Sequence, residues 1–239
     1  MNSRRKFLAQ GSMATAALIA AKPLKTFAEA SSPVTGFSFN DNKVMFVHTA
    51  DIQNADHHQI TNHISELKRS TGNIVLLNAG KEIAGHTAAL PYDASISKSN
   101  AVSDYRIIHK GNIKIGVITA TPTDSDLLGK VNTLASFLKK EKRCHLVVCL
   151  SQLGYQHKSA TDDCKLAAQS NDLDIIIGGD AKNRTQNPVI ALNKNKTEVI
   201  IDHAINAELA LSSIAITFND RGQKRQVAFN ESRSRKLTA

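Results

Sequence analysis

Three short apolar runs end on residues that can do chemistry. VMFV (44–47) gives way to His48-Thr49-Ala50 and then to Asp51 and Gln53. NIVLLN (73–78) leads into Ala79-Gly80-Lys81, and LDIII (173–177) leads into Gly178-Gly179-Asp180. Carboxylate and amide oxygens suit a hard divalent cation, whereas an ammonium beside glycine N–H groups suits a phosphate. Ligand sites of α/β proteins gather at the carboxyl ends of strands. Three strand ends that set glycine or a polar turn beside a charged residue therefore predict one shared pocket.

The elements that must position these residues alternate. After the first strand, Ile60, Ile64 and Leu67 recur at helical spacing within 56–69 and predict one amphipathic helix. His57, His58 and His63 decorate it, but their spacing is neither i+3 nor i+4, so they read as surface residues. After the strand at 73–78, the stretch 82–104 holds Gly85, Pro91 and several Ser and Asn residues and reads as a loop. Two strands, 105–109 and 113–119, flank Lys110-Gly111-Asn112 as a hairpin. A surface helix over 132–142 presents Leu134, Phe137 and Leu138, and a buried strand HLVVCL (145–150) runs into Ser151-Gln152-Leu153-Gly154. Ser159-x-x-Asp162 has the form of a helix start, continued by 164–170. From 189 onward only short strands follow, at 189–192, 198–202, 209–218 and 226–229. Leading βα alternation with trailing strands predicts a layered α/β sandwich with mixed sheets.

The ends read differently. Residues 1–30 form a twin-arginine export signal: Arg4-Arg5-Lys6, a weakly apolar stretch 9–21, and Ala28-Glu29-Ala30 as a cleavage site. That stretch is too short for a permanent membrane span, so the expected address is periplasmic or otherwise exported. Residues 31–42 read as a linker, 43–230 as the folded domain and 231–239 as a frayed tail. Removing the leader lowers the formal charge from +9 to +5. No basic stripe is interleaved with aromatics, which argues against nucleic-acid binding. Cys144 and Cys149 fall on one expected strand, pointing to opposite faces about 16 Å apart, too far for a disulfide. With Cys164 they read as small buried apolar residues.

In this order the pieces resemble the calcineurin-like metallophosphoesterases, and within them the catalytic domain of periplasmic 5′-nucleotidases. VMFVHTADIQ (44–53) matches the strand into HTND-x-H, and NIVLLNAGKEIAGH (73–86) matches LLL-x-GGD-x-x-x-G. NIKIGVITATPTD (112–124) matches KIGVIGLTT, HLVVCLSQLGYQ (145–156) the strand ending THMG, and DLDIIIGGDAKN (172–183) DIIIGGH-x-H/Q. The strand pair at 199–219 completes the set, and together the pieces cover most of 43–220. The resemblance implies a four-layer α/β/β/α sandwich with mixed sheets.

The resemblance also marks departures. Asp51 keeps its ligand position, while Gln53 stands where a His is expected. Lys81 stands for the bridging Asp, Gln152 for the third-motif His, and Asp180 and Lys182 for the last pair. The Gly-Asn-His-Glu motif is missing, with Tyr92-Asp93-Ala94 or Ser99-Asn100-Ala101 marking its place; His203 falls near the last motif but off a ligand position. Two metals need anionic or imidazole ligands to offset their repulsion, so two ammoniums among these positions imply no metal cofactor and a hydrolase fold without two-metal catalysis. Such a pseudoenzyme would be kept for binding or for partnering another chain, such as a separate nucleotidase C-terminal domain. Two alternatives stay open. One is an active phosphatase or 5′-nucleotidase with Zn, Mn or Mg on Asp51, Gln53, Gln152 and Asp180. The other is a binder of phosphate or nucleotide that uses Lys81 and Lys182.

Overall fold

The structure, a computed structural model, describes residues 42–49, 57–80, 91–96, 105–124, 126–158, 160–180, 183, 185, 187–204 and 211–232. The expected signal, and the expected linker as far as residue 41, lie outside the described residues. Among the described residues no helix is long and apolar enough to cross a membrane.

Strands β1 (Lys43–Thr49), β2 (Ile74–Asn78), β3 (Ala94–Ser95), β10 (Leu211–Phe218) and β11 (Lys224–Ser232) form one sheet in the order β11-β10-β1-β2-β3. The other sheet contains β4 (Tyr105–Lys110), β5 (Ile113–Ala120), β6 (Leu146–Ser151), β7 (Ile175–Gly178), β8 (Val189–Leu192) and β9 (Glu198–His203), in the order β4-β5-β6-β7-β9-β8. Helix α1 (His57–Ser70) returns β1 to β2, α2 (Leu127–Lys140) returns β5 to β6, and α3 (Asp163–Gln169) returns β6 to β7, so these strand pairs are parallel. Pairing turns antiparallel toward the sheet edges at β4–β5, β8–β9 and β10.

Alternation along the strands divides the core. Val44 and Phe46 of β1 join Leu146, Val148 and Leu150 of β6 in a layer between the two sheets. Met45 and Val47 face Ile60 and Ile64 of α1 instead, and Val147 and Cys149 face Val131 and Leu166 of α2 and α3. The mixed α/β/β/α sandwich is therefore what these periodicities build.

Boundaries moved where side chains reached further than periodicity suggested. Helix α2 starts at Leu127, not 132, because Asp126 caps it through Gly129 N–H (3.2 Å) and Leu127 and Val131 extend its buried face. Asp162, rather than Ser159, caps α3: its carboxylate accepts from Lys165 N–H at 2.7 Å. The loop expected at 82–104 contributes β3, an edge strand parallel to β2. Strand β11 runs on to Ser232, paired with Leu211, so the first residues of the expected tail are sheet. Cys144 lies ahead of β6 and packs in the same layer as Cys149, not on the opposite face. None of the three cysteines is disulfide-bonded, and burial pushes each thiol up, away from the reactive thiolate. His63 is half-buried rather than fully on the surface.

At the amino end of the strands, Asp174 accepts from Val147 N–H (2.8 Å), from Lys139 Nζ (2.7 Å) of α2 and from Lys224 Nζ (3.0 Å) of β11. One carboxylate thus ties both sheets and a helix at that end.

Asp162 sets the acid limit of the α3 cap. Burial pushes its carboxyl up, but the Lys165 ammonium (2.8 Å) and the His157 and Lys165 N–H groups outweigh that and hold it below the usual carboxylate range. Stability from this group is therefore present above the unfolded carboxyl value of about 3.9 and fades as pH falls through the lower folded value. Asp162→Ala should cost about 1–2 kcal/mol at neutral pH and flatten the loss of stability below about pH 4. Urea unfolding monitored between neutral and acidic pH checks both.

Candidate functional site

The carboxyl ends of β1 and β2 are stitched together. Thr49 and Asn78 are register partners; Thr49 Oγ1 donates to Asn78 Oδ1 (3.3 Å) and shares a bond with the Tyr92 hydroxyl (2.9 Å). Gly80 N–H donates to the same Asn78 oxygen at 2.9 Å, which turns the chain sharply off the strand. The second sheet approaches here along bare backbone. A Cβ on Gly179 would lie 1.9 Å from the Ala79 carbonyl oxygen, so only glycine lets the end of β7 meet the end of β2. Two of the three strand ends singled out by sequence are thereby in contact.

Buried His–Asp pairs lie just inside this rim. His48, the next inter-sheet position after Val44 and Phe46, donates through Nε2 to Asp202 Oδ2 at 2.9 Å, spanning from β1 of one sheet to β9 of the other. Both groups are buried, and His48 Nδ1 has no partner among the described residues. The adjacent His203 points to the opposite face, where Nε2 donates to Asp163 Oδ2 (3.0 Å); Asp163 also accepts from Ser151 Oγ, whose oxygen in turn takes Leu153 N–H (3.1 Å). Ser151, Gly178 and His203 are neighbours across three strands. A Cβ on Gly178 would meet the His203 ring at 2.0 Å, so the missing side chain is what lets Asp163 bridge its neighbours.

Of the residues expected in the pocket, Gln152 and Asp180 are described and both are half-buried at the ends of β6 and β7. Gln152 N–H donates to Ala120 O at 3.0 Å, which keeps the chain beside β5 for one more residue. Asp180 Oδ2 and His157 Nε2 each lie 3.0 Å from the point a Cβ on Gly154 would occupy, and Gly154 adopts φ +81°. Asn183 holds this corner: its carbonyl accepts Tyr155 N–H (2.8 Å) and its amide approaches His157 Nε2 (3.2 Å). Asp51, Gln53, Lys81 and Lys182 lie outside the described residues, as does Ser99-Asn100-Ala101. Asp93, in the other stretch offered for the missing motif, accepts from Leu76 N–H (2.9 Å) and Lys110 Nζ (3.0 Å), a sheet-edge role.

Sequence reasoning missed His48, Asp202 and Asp163. Their signal was present: a polar residue continuing an apolar alternation, as in Val44, Phe46, His48 and Ile200, Asp202, must be buried and must find a partner.

Removing one partner of the inter-sheet pair should cost more than removing both. Asp202→Ala should destabilise by about 1–3 kcal/mol by leaving the His48 ring with neither nitrogen bonded. The double variant His48→Leu with Asp202→Leu should recover part of that loss, and a double-mutant cycle from urea midpoints reads the coupling.

No protein-family model matches the sequence, and no curated protein sequence matches it. Solved structures do. A 5′-nucleotidase precursor from Thermus thermophilus is 14% identical with a TM-score of 0.63, covering 79% of this chain and 54% of its own. The NAD nucleotidase of Haemophilus influenzae is 13% identical with a TM-score of 0.57, covering 80% and 49%. A putative 5′-nucleotidase from Staphylococcus aureus is 10% identical with a TM-score of 0.50, covering 82% and 56%. The chain thus spans about half the length of these nucleotidases. Its strand order, its helices on both outer faces and these likenesses agree: the chain has the calcineurin-like metallophosphoesterase fold in the form seen in the 5′-nucleotidases.

Proposed function

We propose that this chain is an exported protein of the metallophosphoesterase fold that has given up two-metal phosphate-ester hydrolysis and is retained for binding a phosphate-bearing ligand or a partner chain. The observation that carries the reading is the chemistry of the rim: Gln152 and Asp180 stand at the ends of β6 and β7 where the resemblance expects imidazoles. His48 and His203 each spend Nε2 on a buried aspartate. They are struts, not donors to the rim.

The fold implies a pair of divalent metals, and the donors present do not fit one. Where the family pattern has imidazoles, the described rim carries the amide of Gln152 and the carboxylate of Asp180, and no three His, Cys, Asp or Glu side chains converge among the described residues. The sequence adds Lys81 at the bridging position and Lys182 in the last motif. An ammonium about 4 Å from a divalent ion is repelled by several kcal/mol even at an effective dielectric near 20, so these lysines favour a bound anion over a bound cation. The ligand class that follows is a phosphate, free or on a nucleotide, held by ammonium groups and glycine N–H groups. The partner class is a chain carrying the part of the nucleotidases that lies beyond the matched half. Export rests on the twin-arginine pattern of residues 3–8.

Metal analysis and turnover test the reading together. Purified protein should retain far less than one equivalent of Zn, Mn or Mg and should not hydrolyse an aryl phosphate or AMP when those ions are added. Phosphate or AMP should raise the melting temperature, and Lys81→Ala should abolish the rise. Two bound equivalents with hydrolysis that is lost in Asp51→Ala would establish the catalytic alternative instead.

A further inference from the structure

The end of the molecule opposite the candidate site gathers positive charge from elements that are far apart in sequence. His145, between α2 and β6, is where they meet. Its N–H donates to Lys114 O (2.8 Å), its Nδ1 accepts Lys114 N–H (3.0 Å), and its carbonyl accepts Lys139 Nζ (2.8 Å). A Cβ on Gly222 would lie 3.0 Å from the His145 ring, so the β10–β11 turn bearing Arg221 packs against the same residue. Lys142 and Arg143 lie just ahead of His145, separated from it by Cys144, with the Lys142 ammonium 5.1 Å over the Phe137 ring. Lys139 and Lys224 share the single carboxylate of Asp174, leaving one charge of that trio unbalanced. Glu141 and Asp220 are exposed acids beside this cluster, and Asp172, two residues ahead of Asp174, lies 3.9 Å from Lys140 Nζ. Seven basic groups thus face four acidic ones at the end where β5, β6 and β7 begin.

Arg143 supplies an independent indication. Helix α2 closes with Cys144 N–H on Leu138 O (2.9 Å), and Arg143 takes φ +53° in that closure. This is the left-handed turn that glycine ordinarily provides at a helix end, so the chain carries an exposed guanidinium where the backbone would be better served by no side chain at all. Strain of this kind persists where the side chain is put to use.

We propose that this basic end docks the protein on an anionic lipid surface, with the candidate site turned away from the bilayer. The aromatic rings near the patch are not offered for stacking. Phe137 lies between Lys142 and Tyr105, and Phe218 is buried against His145. Single-stranded nucleic acid is gripped by such stacking, whereas a headgroup layer needs only near-surface charge spread over one end.

The test is flotation of the full chain with vesicles of phosphatidylcholine alone or containing phosphatidylglycerol, so that every variant carries the same leader. The wild type should bind only the anionic vesicles, at about 50 mM salt and not at about 500 mM. Arg143→Glu with Arg221→Glu should lower the partition coefficient by about tenfold or more, while Lys158→Glu, at the opposite end, should leave it unchanged. Arg143→Gly separates use from folding: it should melt at a higher temperature and bind anionic vesicles more weakly. Binding that ignores phosphatidylglycerol, that survives the double reversal, or that is seen with duplex DNA and not with vesicles would overturn the proposal.

Discussion

The buried contact between His48 and Asp202 is the constraint on which the site end of this molecule depends. Two sheets packed face to face are held mainly by aliphatic side chains, which are indifferent to small slides along the strands. A hydrogen bond of 2.9 Å between a fixed imidazole and a fixed carboxylate is not indifferent. It sets where the end of β1 stands relative to β9. The glycine approach of β7 to the Ala79 carbonyl sets the same alignment a few residues away. At the other end Asp174 does comparable work with Val147, Lys139 and Lys224, so the stack is pinned at both ends of its strands.

That arrangement bears on chemistry through the valence of an imidazole. Each ring has two nitrogens, and a metal ligand needs one with its lone pair directed at the ion. His48 and His203 commit Nε2–H to aspartates, and their Nδ1 atoms are buried among the described residues, not offered at the rim. The fold has kept its histidines and aspartates near the strand ends and used them to support one another. A rim equipped with Gln152 and Asp180, and by sequence with Lys81 and Lys182, is suited to an anion more than to a pair of cations.

Much of the architecture was legible in the chain. Apolar runs bounded by Gly or Asn located most strands, and the spacing of Ile60, Ile64 and Leu67 located α1, because burial on one face imposes those periods. Helix starts were misplaced where capping decided them: Asp126 and Asp162 act through backbone N–H groups, a geometry that periodicity does not encode. The two-residue strand β3 was invisible because its pairing comes from β2, not from its own composition. Within the site, glycines at the ends of β2 and β7 pointed to one shared pocket, and the approach of Gly179 to Ala79 brings those two strand ends together. The His–Asp pairs went unread because each joins residues 40 or 154 positions apart, and only the assembled sheets bring them together.

The most direct measurement of this account is the nitrogen NMR spectrum of the histidine rings, recorded before and after adding excess Zn²⁺. The account predicts that Nε2 of His48 and His203 stays engaged with Asp202 and Asp163, with shifts that do not move when the ion is added. A ring nitrogen of either residue that shifts or loses its proton on zinc addition would contradict it.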